Sequence, residues 1–329
     1  MKIYDFVAIG DTVTDAFIQL KEASIHCNID TDRCEICMRF ADKIPYENVW
    51  VLPAVGNSAN AAVSAARLGL KTALITDIGG DIYGEQAFQQ IKKENISTEF
   101  INIHHKKKTN YHYVLWYEAD RTILIKHEEY EYKLKDFGSP KWVYLSSLAE
   151  NSLEFHSDLE KYLNEKKDIK FALQPGTFQM KFGKEKLAGL YKRADLFFCN
   201  TEEARRILKA EEQDVKKLMQ MMHDLGPKIV VITDGPKGAY AFDGSEAWFM
   251  PAYPDPKPPY ERTGAGDSFS STVTAALALG KDISEALSWG PINSMSVVQY
   301  VGAQEGLLSQ DKLLEYLAKA PGDYKPKKI

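Results

Sequence analysis

The segment with the clearest capacity for chemistry is rich in glycine and runs from Glu261 to Phe269. It leads into a helix of small residues, so Gly264, Ala265 and Gly266 are expected at the helix N-terminus. Glycine lets a ligand approach the backbone closely, and the free N–H groups of a first helical turn favour an anion such as a phosphoryl group. Asp267 lies beside this anion site, where a carboxylate can cap the helix or take a proton from a reacting group. The Gly-Ala-Gly backbone favours the second interpretation, because a cap does not require it.

Two widespread nucleotide-binding motifs do not fit this sequence. The dinucleotide-binding fingerprint needs a third glycine where Phe269 stands, and a Pro-rich run replaces the strand that should precede it. The spacing of a P-loop occurs between Gly79 and Gly84, but the next residue is Glu85 instead of lysine. A bound nucleotide would therefore be held without a P-loop lysine.

Three other groups of polar residues follow predicted strands or begin predicted helices. Asp15 stands just past a buried strand, where it can accept hydrogen bonds from sugar hydroxyls or only cap a loop. Gly56 and Asn60 frame the start of an alanine-rich helix, which suits a polyhydroxylated ligand and also close helix packing. Asn200 and Glu203 follow another strand and lie one turn apart. They can face phosphates and hold Mg²⁺ through water, or they can simply begin a helix.

The elements that must position these residues alternate between strands and helices. Buried strands are predicted at Ile3–Ile9, Thr72–Ile75, Trp142–Leu145, Ile169–Leu173, Leu196–Cys199 and Ile229–Thr233. Helices are predicted at Ser58–Leu68, Gly84–Glu94, Ser152–Lys166, Thr201–Lys209, Val215–Leu225, Asp267–Leu279, Ile283–Tyr300 and Gln310–Lys319. This alternation predicts an α/β fold, a mostly parallel sheet covered by helices on both faces.

Two stretches interrupt the alternation and are predicted to form one small β lid over the cleft. They cover about residues 12–55 and 96–129, and the second contains two predicted antiparallel strands, Asn110–Trp116 and Thr122–Lys126. Open α/β sheets bind ligands at the carboxyl ends of their strands, which is where such a lid would lie. The prediction is one domain over residues 1–329 with the lid built into it, and a loose polar tail from Pro321 to Ile329.

The composition is that of a globular protein and limits the partners. The 329 residues are 44% hydrophobic and 26% charged, and the formal net charge is -5. Nucleic acid and an acidic membrane surface are disfavoured as partners, because basic residues are not in excess. No apolar run approaches the roughly 20 residues that span a bilayer. A cytoplasmic protein with a small-molecule substrate is expected, and its four cysteines are expected to be reduced.

The chain resembles the ribokinase-like, PfkB-type carbohydrate kinases over nearly its whole length. Six segments in the family's order carry the resemblance: Gly10–Asp15, Gly56–Gly69, Gly79–Gly84, Asn200–Glu203, Thr233–Gly238 and Thr263–Asp267. The resemblance implies a three-layer α/β/α sandwich of the ribokinase type. It also implies transfer of the γ-phosphoryl group of ATP to a hydroxyl of a small sugar, a primary CH₂OH by preference.

The resemblance also assigns roles to individual residues. Asp267 would be the general base, and Gly264, Ala265 and Gly266 would stabilise the charge on the transferring group. Sugar would bind at Asp15, Gly56 and Asn60. The nucleotide would contact Asn200, Glu203, Thr233, Gly235, Gly238 and, at the adenosine end, Asn293. The implied cofactors are ATP and Mg²⁺, with Glu203 reaching the metal through water, and a homodimer through the lid is expected.

Several positions depart from the family pattern. Val55-Gly56 replaces the usual glycine pair, and Glu261 stands where an aspartate is common. A monovalent cation such as K⁺ therefore stays an open question. Gln174-Pro175-Gly176 occupies a place where asparagine or aspartate before proline is more usual, and Gln174 is given no role.

The lid leaves further alternatives open. Its four soft ligands, His26, Cys27, Cys34 and Cys37, have a spacing that a structural zinc could use, although cysteine is also a small buried apolar residue. Arg121 is a candidate for a substrate carboxylate or phosphate, or for a surface ion pair. The lid also has an aromatic face that could stack on a ligand or form the dimer interface, composed of Trp50, Tyr113, Trp116 and Tyr117.

The substrate is not fixed by these residues. A ribose- or fructose-like sugar, a ketodeoxy sugar acid and a nucleoside all fit them. The alternatives to a sugar kinase are a nucleoside kinase, for which an aromatic sandwich over the base is expected, and a non-catalytic sugar or nucleotide sensor.

Overall fold

The computed structural model describes residues 3–28, 33–118 and 120–329. Its strands are β1 (Phe6–Ile9), β2 (Val13–Leu20), β3 (Ser24–Asn28), β4 (Arg33–Cys37), β5 (Tyr46–Val55), β6 (Thr72–Gly79), β7 (Ile101–His104), β8 (Asn110–Tyr117), β9 (Asp120–Leu124), β10 (Trp142–Leu145), β11 (Lys170–Leu173), β12 (Leu196–Asn200), β13 (Ile229–Thr233), β14 (Ala239–Phe242), β15 (Ala247–Met250) and β16 (Lys327–Lys328). Its α-helices are α1 (Asn57–Arg67), α2 (Ile82–Lys93), α3 (Leu153–Glu165), α4 (Thr177–Phe182), α5 (Ala188–Arg193), α6 (Thr201–Leu208), α7 (Val215–His223), α8 (Ala265–Ala278), α9 (Ile283–Val297) and α10 (Gln310–Ala318).

Ten strands form the main sheet, in the order β16-β15-β14-β13-β12-β11-β10-β1-β6-β7. The run from β13 to β7 is parallel, and β14, β15 and β16 extend the sheet in antiparallel pairing. Strands such as β1 and β10 are buried along their whole length, because helices cover both faces of a parallel sheet. All six predicted strands belong to this sheet, and the mostly parallel architecture is confirmed.

The sheet separates two hydrophobic cores, which makes three layers. Along β1, Phe6 and Ala8 face one core, whereas Val7 and Ile9 face the other, because side chains alternate across a strand. Helices α1, α2, α8, α9 and α10 cover the first face, and α3, α5, α6 and α7 cover the second. The predicted three-layer α/β/α sandwich is confirmed.

The close packing of α1 on α8 positions the start of α8 at the edge of the sheet. Both helices are rich in small residues, alanine and serine in α1 and alanine, serine and threonine in α8, so their backbones approach closely. The hydroxyls of Ser64 and Thr272 lie 3.3 Å apart across the contact. Small residues therefore serve the fold here as well as the site.

A second sheet, the lid sheet, contains four strands in the order β5-β2-β8-β9. The predicted strands Asn110–Trp116 and Thr122–Lys126 correspond to β8 and β9 and pair antiparallel, as expected. The other two strands, β2 and β5, come from the first interrupting stretch. The lid sheet thus draws strands from both stretches, but β7 in the second stretch pairs with β6 in the main sheet. The lid bounds of about 12–55 and 96–129 and the single-domain boundary of 1–329 stay predictions. Residues 29–32 and 119 of those ranges lie outside the described residues.

The hairpin β3–β4 corrects the expectation of four reduced thiols. Cys27 and Cys34 are direct cross-strand partners and form a disulfide, while Cys37 and Cys199 are free. Antiparallel pairing brings the two sulfur atoms together, so the register of the hairpin decides the bond.

The C-terminal tail also differs from the sequence prediction. Lys327–Lys328 pairs with β15 and Tyr324 is buried, with its hydroxyl donating to the backbone oxygen of Ser288. The tail is thus an edge of the main sheet instead of a loose segment. The short helices α4 and α5 and the hairpin β14–β15 were also missed.

Candidate active site

A cleft of about 380 Å³ lies between the carboxyl ends of the parallel strands and the lid sheet. Its floor is formed by residues that end or follow five neighbouring strands: Asp11, Ser147, Gln174, Asn200 and Thr233. This is the edge at which open α/β sheets bind ligands, and the volume suits a small molecule.

The N-terminus of α8 opens into this cleft. Gly264 caps the helix with a φ of +81°, and a Cβ there would lie 2.3 Å from the Cβ of Ala303, so only glycine fits. A Cβ on Gly266 would meet nothing within 4 Å. Among the described residues, the N–H groups of Gly264 and Gly266 have no hydrogen-bond acceptor, while the Ala265 N–H lies 3.4 Å from the Arg262 oxygen. Two of the three predicted donors are therefore free for an anion.

Asp267 lies in the first turn of α8, with both carboxylate oxygens held by side-chain amides. Asn57 and Gln174 donate to Oδ1 at 2.8 and 3.2 Å, and Asn60 donates to Oδ2 at 2.9 Å. The Tyr144 hydroxyl donates to the Gln174 oxygen, which turns the Gln174 amide nitrogen toward Asp267. The carboxylate is thus fixed beside the free N–H groups of the helix start.

Two of these amide donors were not among the predicted site residues. Asn57 begins α1 and Gln174 follows β11, and both line the cleft. The sequence offered a signal for both, because Asn57 lies in the Gly56–Gly69 segment that carries the resemblance and Gln174 departs from the family pattern, but neither was given a role. The contact of Asn60 with Asp267 makes it a positioning residue, and its predicted sugar contact stays a prediction.

Asn200 and Glu203 line the opposite end of the cleft and form a capping box. The Asn200 side chain accepts from the Glu203 N–H at 2.8 Å, and Glu203 Oε2 accepts from the Asn200 N–H at 2.9 Å. The pKa of Glu203 is raised above its ordinary value, chiefly by burial and further by the negative charge of Asp267. The hydrogen bond from the Asn200 N–H opposes this shift without cancelling it. Asn200 and Glu203 therefore do begin a helix, as one of the two sequence interpretations held. Glu203 Oε1 accepts no hydrogen bond from the described residues, so it can reach Mg²⁺ through water.

The other predicted nucleotide contacts are spread more widely. Thr233 lines the cleft at the end of β13, and Gly235 and Gly238 form the turn that follows it, outside the lining residues. Asn293 is fully buried between helices, where its amide donates to Thr272 and its oxygen accepts from the Leu308 N–H. Both polar ends of Asn293 are used within the protein, so its position does not support the predicted adenosine contact.

Asp15 and Gly56 lie at the lid end of the cleft. Asp15 is directly opposite His112 in the parallel pairing of β2 with β8, and their Oδ1 and Nδ1 atoms are 3.4 Å apart. Gly56 has a φ of +111°, and a Cβ there would lie 2.7 Å from the Asp11 backbone oxygen. Glycine is therefore required for the close approach of two segments, in agreement with its packing interpretation.

A second imidazole lies beside the first and also faces a carboxylate. His127 Nδ1 is 2.9 Å from Asp11 Oδ2, and Tyr132 donates to Asp11 Oδ1 at 2.8 Å. The rings of His112 and His127 are 5.2 Å apart, and both line the cleft. Burial and the charge of Asp11 raise the pKa of Tyr132 far above its ordinary value, so this hydroxyl stays a donor.

Arg121 extends from the lid to the loop before α8. Its Nε lies 3.5 Å from Glu261 Oε1, and the Glu261 side chain is fully buried. The same Glu261 oxygen accepts from the N–H and the hydroxyl of Thr263 at 2.8 and 2.6 Å. Oε1 of Glu261 is therefore already used by a guanidinium and two donors, which disfavours a monovalent cation at this oxygen.

The predicted aromatic face of the lid divides between its two sides. Trp50 and Trp116 pack on each other, and Trp116 also contacts Tyr260 in the segment between β15 and α8. Tyr113 lies three residues before Trp116 on β8, so its side chain points to the opposite side of the sheet, where it is about half exposed. Tyr117 also alternates to the side opposite Trp116.

The soft ligands of the lid do not assemble a metal site within the described ranges. The disulfide occupies Cys27 and Cys34, and no group of three or more His, Cys, Asp or Glu side chains in residues 3–28, 33–118 and 120–329 could hold a metal ion. Within the same residues, no helix is long and apolar enough to cross a membrane.

Comparisons with known proteins agree with this architecture. A model of the pfkB family carbohydrate kinases matches residues 20–310. A ribokinase from Haemophilus influenzae is 26% identical over 274 residues, which are 80% of this chain and 87% of that protein. The structure of Arabidopsis thaliana ribokinase complexed with ribose and ATP aligns with a TM-score of 0.80 at 18% identity, covering 96% of this chain and 99% of that chain. A nucleoside kinase from Methanocaldococcus jannaschii aligns with a TM-score of 0.75 at 17% identity, covering 95% and 98%.

The structural matches show the ribokinase fold, and the family match extends over most of the chain. The cleft has a carboxylate beside a helix N-terminus with free N–H groups, which suits transfer of a phosphoryl group to a hydroxyl. The chain therefore belongs to the pfkB family of carbohydrate kinases and is a phosphotransferase with an alcohol group as acceptor.

Proposed function

We propose that this kinase transfers the γ-phosphoryl group of ATP to a primary hydroxyl of a small sugar. The acceptor lies at the lid end of the cleft, near Asp15 and His112, and the nucleotide lies at the end formed by Asn200, Glu203 and Thr233. The observation that carries this proposal is the position of Asp267 between these two ends, beside the free N–H groups at the start of α8.

Each residue has a separate task in the reaction. Asp267 takes the proton of the attacking hydroxyl while its orientation is held by Asn57, Asn60 and Gln174. The N–H groups of Gly264 and Gly266 stabilise the negative charge on the transferring group, and loss of one such donor typically costs about 2.7–4 kcal/mol of barrier. Ala265 contributes less, because its N–H already faces Arg262.

Glu203 is the residue that would hold Mg²⁺, through water. When bound, Mg²⁺ neutralises charge on the phosphates. Glu203 is suited to this task because one of its oxygens is fixed by Asn200 while the other stays free. No step requires a monovalent cation, since Arg121 supplies the positive charge beside Glu261.

We also propose that the lid forms the contact of a homodimer. The outer side of the lid sheet exposes a row of apolar side chains, Val49, Val51, Tyr113 and Leu124, each between 45% and 51% exposed. Apolar patches of this kind mark interaction sites. The proposed location is the cytoplasm, because the proposed reaction uses ATP.

A nucleoside is the second candidate acceptor. Phe178, Ile123 and Ile125 give one side of the cleft an apolar surface on which a base could rest. Phe178 is the only Phe, Tyr or Trp side chain among the lining residues besides Phe198 at the floor, so the described residues form no aromatic sandwich at the lid end. The polar lid end favours a sugar.

The test is ADP release from ATP and Mg²⁺ with pentoses, hexoses, sugar acids and nucleosides as acceptors. We expect selective turnover with one sugar or a few related ones. Selective turnover with nucleosides would favour the second candidate. Sugar binding by calorimetry without any turnover would contradict the proposal and indicate a sensor that has kept the fold.

A further inference from the structure

The loop of residues 298–309 joins α9 to α10 and packs against both the lid and the start of α8. A Cβ on Gly302 would clash with the side chain of Leu52, which belongs to the lid strand β5. Ala303, the next residue, is the neighbour that a Cβ on Gly264 would meet. Two consecutive residues of this loop therefore touch the lid and the proposed anion site.

Gln304, the residue that follows, has an amide nitrogen that makes two hydrogen bonds. Its Nε2 donates to the backbone oxygen of Ala54 at 2.7 Å and to Oδ1 of Asn60 at 3.0 Å. Asn60 in turn donates through Nδ2 to Oδ2 of Asp267 at 2.9 Å. An unbroken chain of hydrogen bonds, the amide relay, therefore joins the end of the lid strand β5 to the carboxylate of the proposed base.

The two ends of the amide relay fix the orientation of both amides. A backbone carbonyl oxygen is an acceptor, so the nitrogen of Gln304 must face the oxygen of Ala54. Asn60 therefore presents its oxygen to Gln304 and its nitrogen to Asp267, whose carboxylate also accepts. If the Asn60 amide were turned over, its oxygen would face the carboxylate and that hydrogen bond would be lost.

Ala54 connects the amide relay to the lid. It lies in β5, two residues before Gly56 and the start of α1. Its φ of +59° is in the left-handed region, which alanine rarely adopts, and it is 1% exposed. Such a conformation persists where surrounding contacts hold it, and the hydrogen bond from Gln304 is one of them. A displacement of this strand would therefore move the acceptor that orients Gln304.

The backbone of Gln304 is held in place from α1. The guanidinium of Arg67 donates to the backbone oxygens of Gln304 and Leu307 at 2.7 and 3.0 Å. Arg67 is itself fixed by two hydrogen bonds to the Glu94 carboxylate, at 2.9 and 2.8 Å. Gln304 is 9% exposed and extends from this anchored backbone, so its side chain is a rigid support for Asn60.

We infer that Gln304 is a positioning residue that couples the lid strand β5 to the orientation of Asp267 through Asn60. This inference rests on the proposed function, in which Asp267 takes the proton of the attacking hydroxyl. Gln304 acts through Asn60, since it lies behind the cleft and is not one of the described residues that line it. With Ala54 in its observed position, the amide of Asn60 is held toward Asp267. When β5 is displaced, this hold is lost and proton abstraction slows.

Gln304→Glu tests the amide relay with a side chain of the same size. The carboxylate cannot donate to Asn60 Oδ1 and instead accepts from Nδ2, which turns the Asn60 amide away from Asp267. With the best acceptor, kcat should fall about tenfold and the acceptor KM should stay within about threefold of the parent, because a hydrogen bond to a charged group is lost. Gln86→Glu, at an exposed position of α2, is the matched control and should equal the parent. A fall in kcat of less than about threefold in Gln304→Glu would overturn the inference.

A double-mutant cycle with Asn60→Ala separates positioning from a general loss of structure. Once Asn60 has lost its amide, Gln304→Glu should change kcat by less than about twofold further. Equal effects of Gln304→Glu in both backgrounds would overturn the inference. Gln304→Leu, which has no donor and no charge, replaces Gln304→Glu in the cycle if circular dichroism shows that the latter is unfolded.

Hydrogen exchange followed by mass spectrometry tests the connection to the lid. Gln304→Leu removes the donor to Ala54, so the amides of residues 46–56 should exchange about threefold faster or more. Asn60→Ala keeps this donor and should leave their exchange unchanged. Unchanged exchange in Gln304→Leu would overturn the coupling to β5. Absence of turnover by the parent with every acceptor would instead refute the proposed function and the inference with it.

Discussion

The two glycines at the start of α8, Gly264 and Gly266, give a test in which stability and activity are affected separately. Gly264 has a φ of +81°, and its Cβ would lie 2.3 Å from the Cβ of Ala303. The left-handed conformation costs alanine about 1–2 kcal/mol, and displacement of a packed neighbour adds about 1–3 kcal/mol. We therefore expect Gly264→Ala to lower the free energy of unfolding by about 2–5 kcal/mol.

Gly266→Ala should behave differently, because nothing lies within 4 Å of a Cβ at that position. Alanine in place of glycine in a helix stabilises it by about 0.5–1 kcal/mol, so the variant should be at least as stable as the parent. Its methyl group would nevertheless enter the open space that the transferring group is proposed to occupy. A loss comparable to one donor, about 2.7–4 kcal/mol of barrier or roughly 10²–10³ in kcat, is expected.

The assays are denaturant unfolding followed by circular dichroism and ADP release with the best acceptor. Gly280→Ala is the matched control, since Gly280 has a φ of +87°, has open space around its Cβ and lies at the far end of α8, roughly 20 Å away. It should lose about 1–2 kcal/mol of stability and no activity. Full activity in Gly266→Ala would refute the assignment of the helix start as the anion site. Unchanged stability in Gly264→Ala would refute the loop geometry.

Three further outcomes follow from the structure. The pKa of Glu203 is raised above its ordinary value of 4.5, so the native state keeps a proton that the unfolded chain releases, and stability falls as the pH rises from about 4.5 through the native pKa. In Glu203→Gln, the free energy of unfolding measured with denaturant should not show this fall between pH 4.5 and pH 7. An equal fall in the variant and in the parent would contradict the raised pKa of Glu203. Arg121→Ala should lower the free energy of unfolding by about 1–3 kcal/mol and raise the acceptor KM, because the buried Glu261 loses its cation. Arg121→Lys, which keeps the positive charge, should lose less stability. A KM in Arg121→Ala equal to that of the parent would contradict the pairing of Arg121 with Glu261. Thiol titration of the unfolded, unreduced chain should find two thiols, since Cys27 and Cys34 are joined, and four would contradict the disulfide.

The sequence predicted those parts of the fold that depend on local pattern. The strands at Trp142–Leu145 and Ile229–Thr233 match to the residue, because short buried runs of apolar residues flanked by polar ones are distinctive. The helix start at Gly264–Asp267 was also predicted, since glycine spacing carries a local requirement. The helix predicted to end at Tyr300 ends at Val297 instead.

The remainder depends on contacts between distant segments. His112 and Asp15 are far apart in the chain, and the pairing of β2 with β8 brings them together. A lone histidine in a lid strand has no local signature, so the sequence offered no signal for it. Asn57 and Gln174 meet Asp267 only after α1, β11 and α8 have packed. The disulfide likewise follows from the register of one hairpin.

The role of Asp267 as the base is tested most directly by Asp267→Asn. The amide keeps the size of the side chain and removes the proton acceptor, so kcat should fall by about 10²–10⁴ while acceptor and ATP bind within threefold of the parent by calorimetry. Asp323→Asn, on the exposed tail, should leave both unchanged. Unaltered kcat in Asp267→Asn, with the same acceptor bound, would contradict the mechanism.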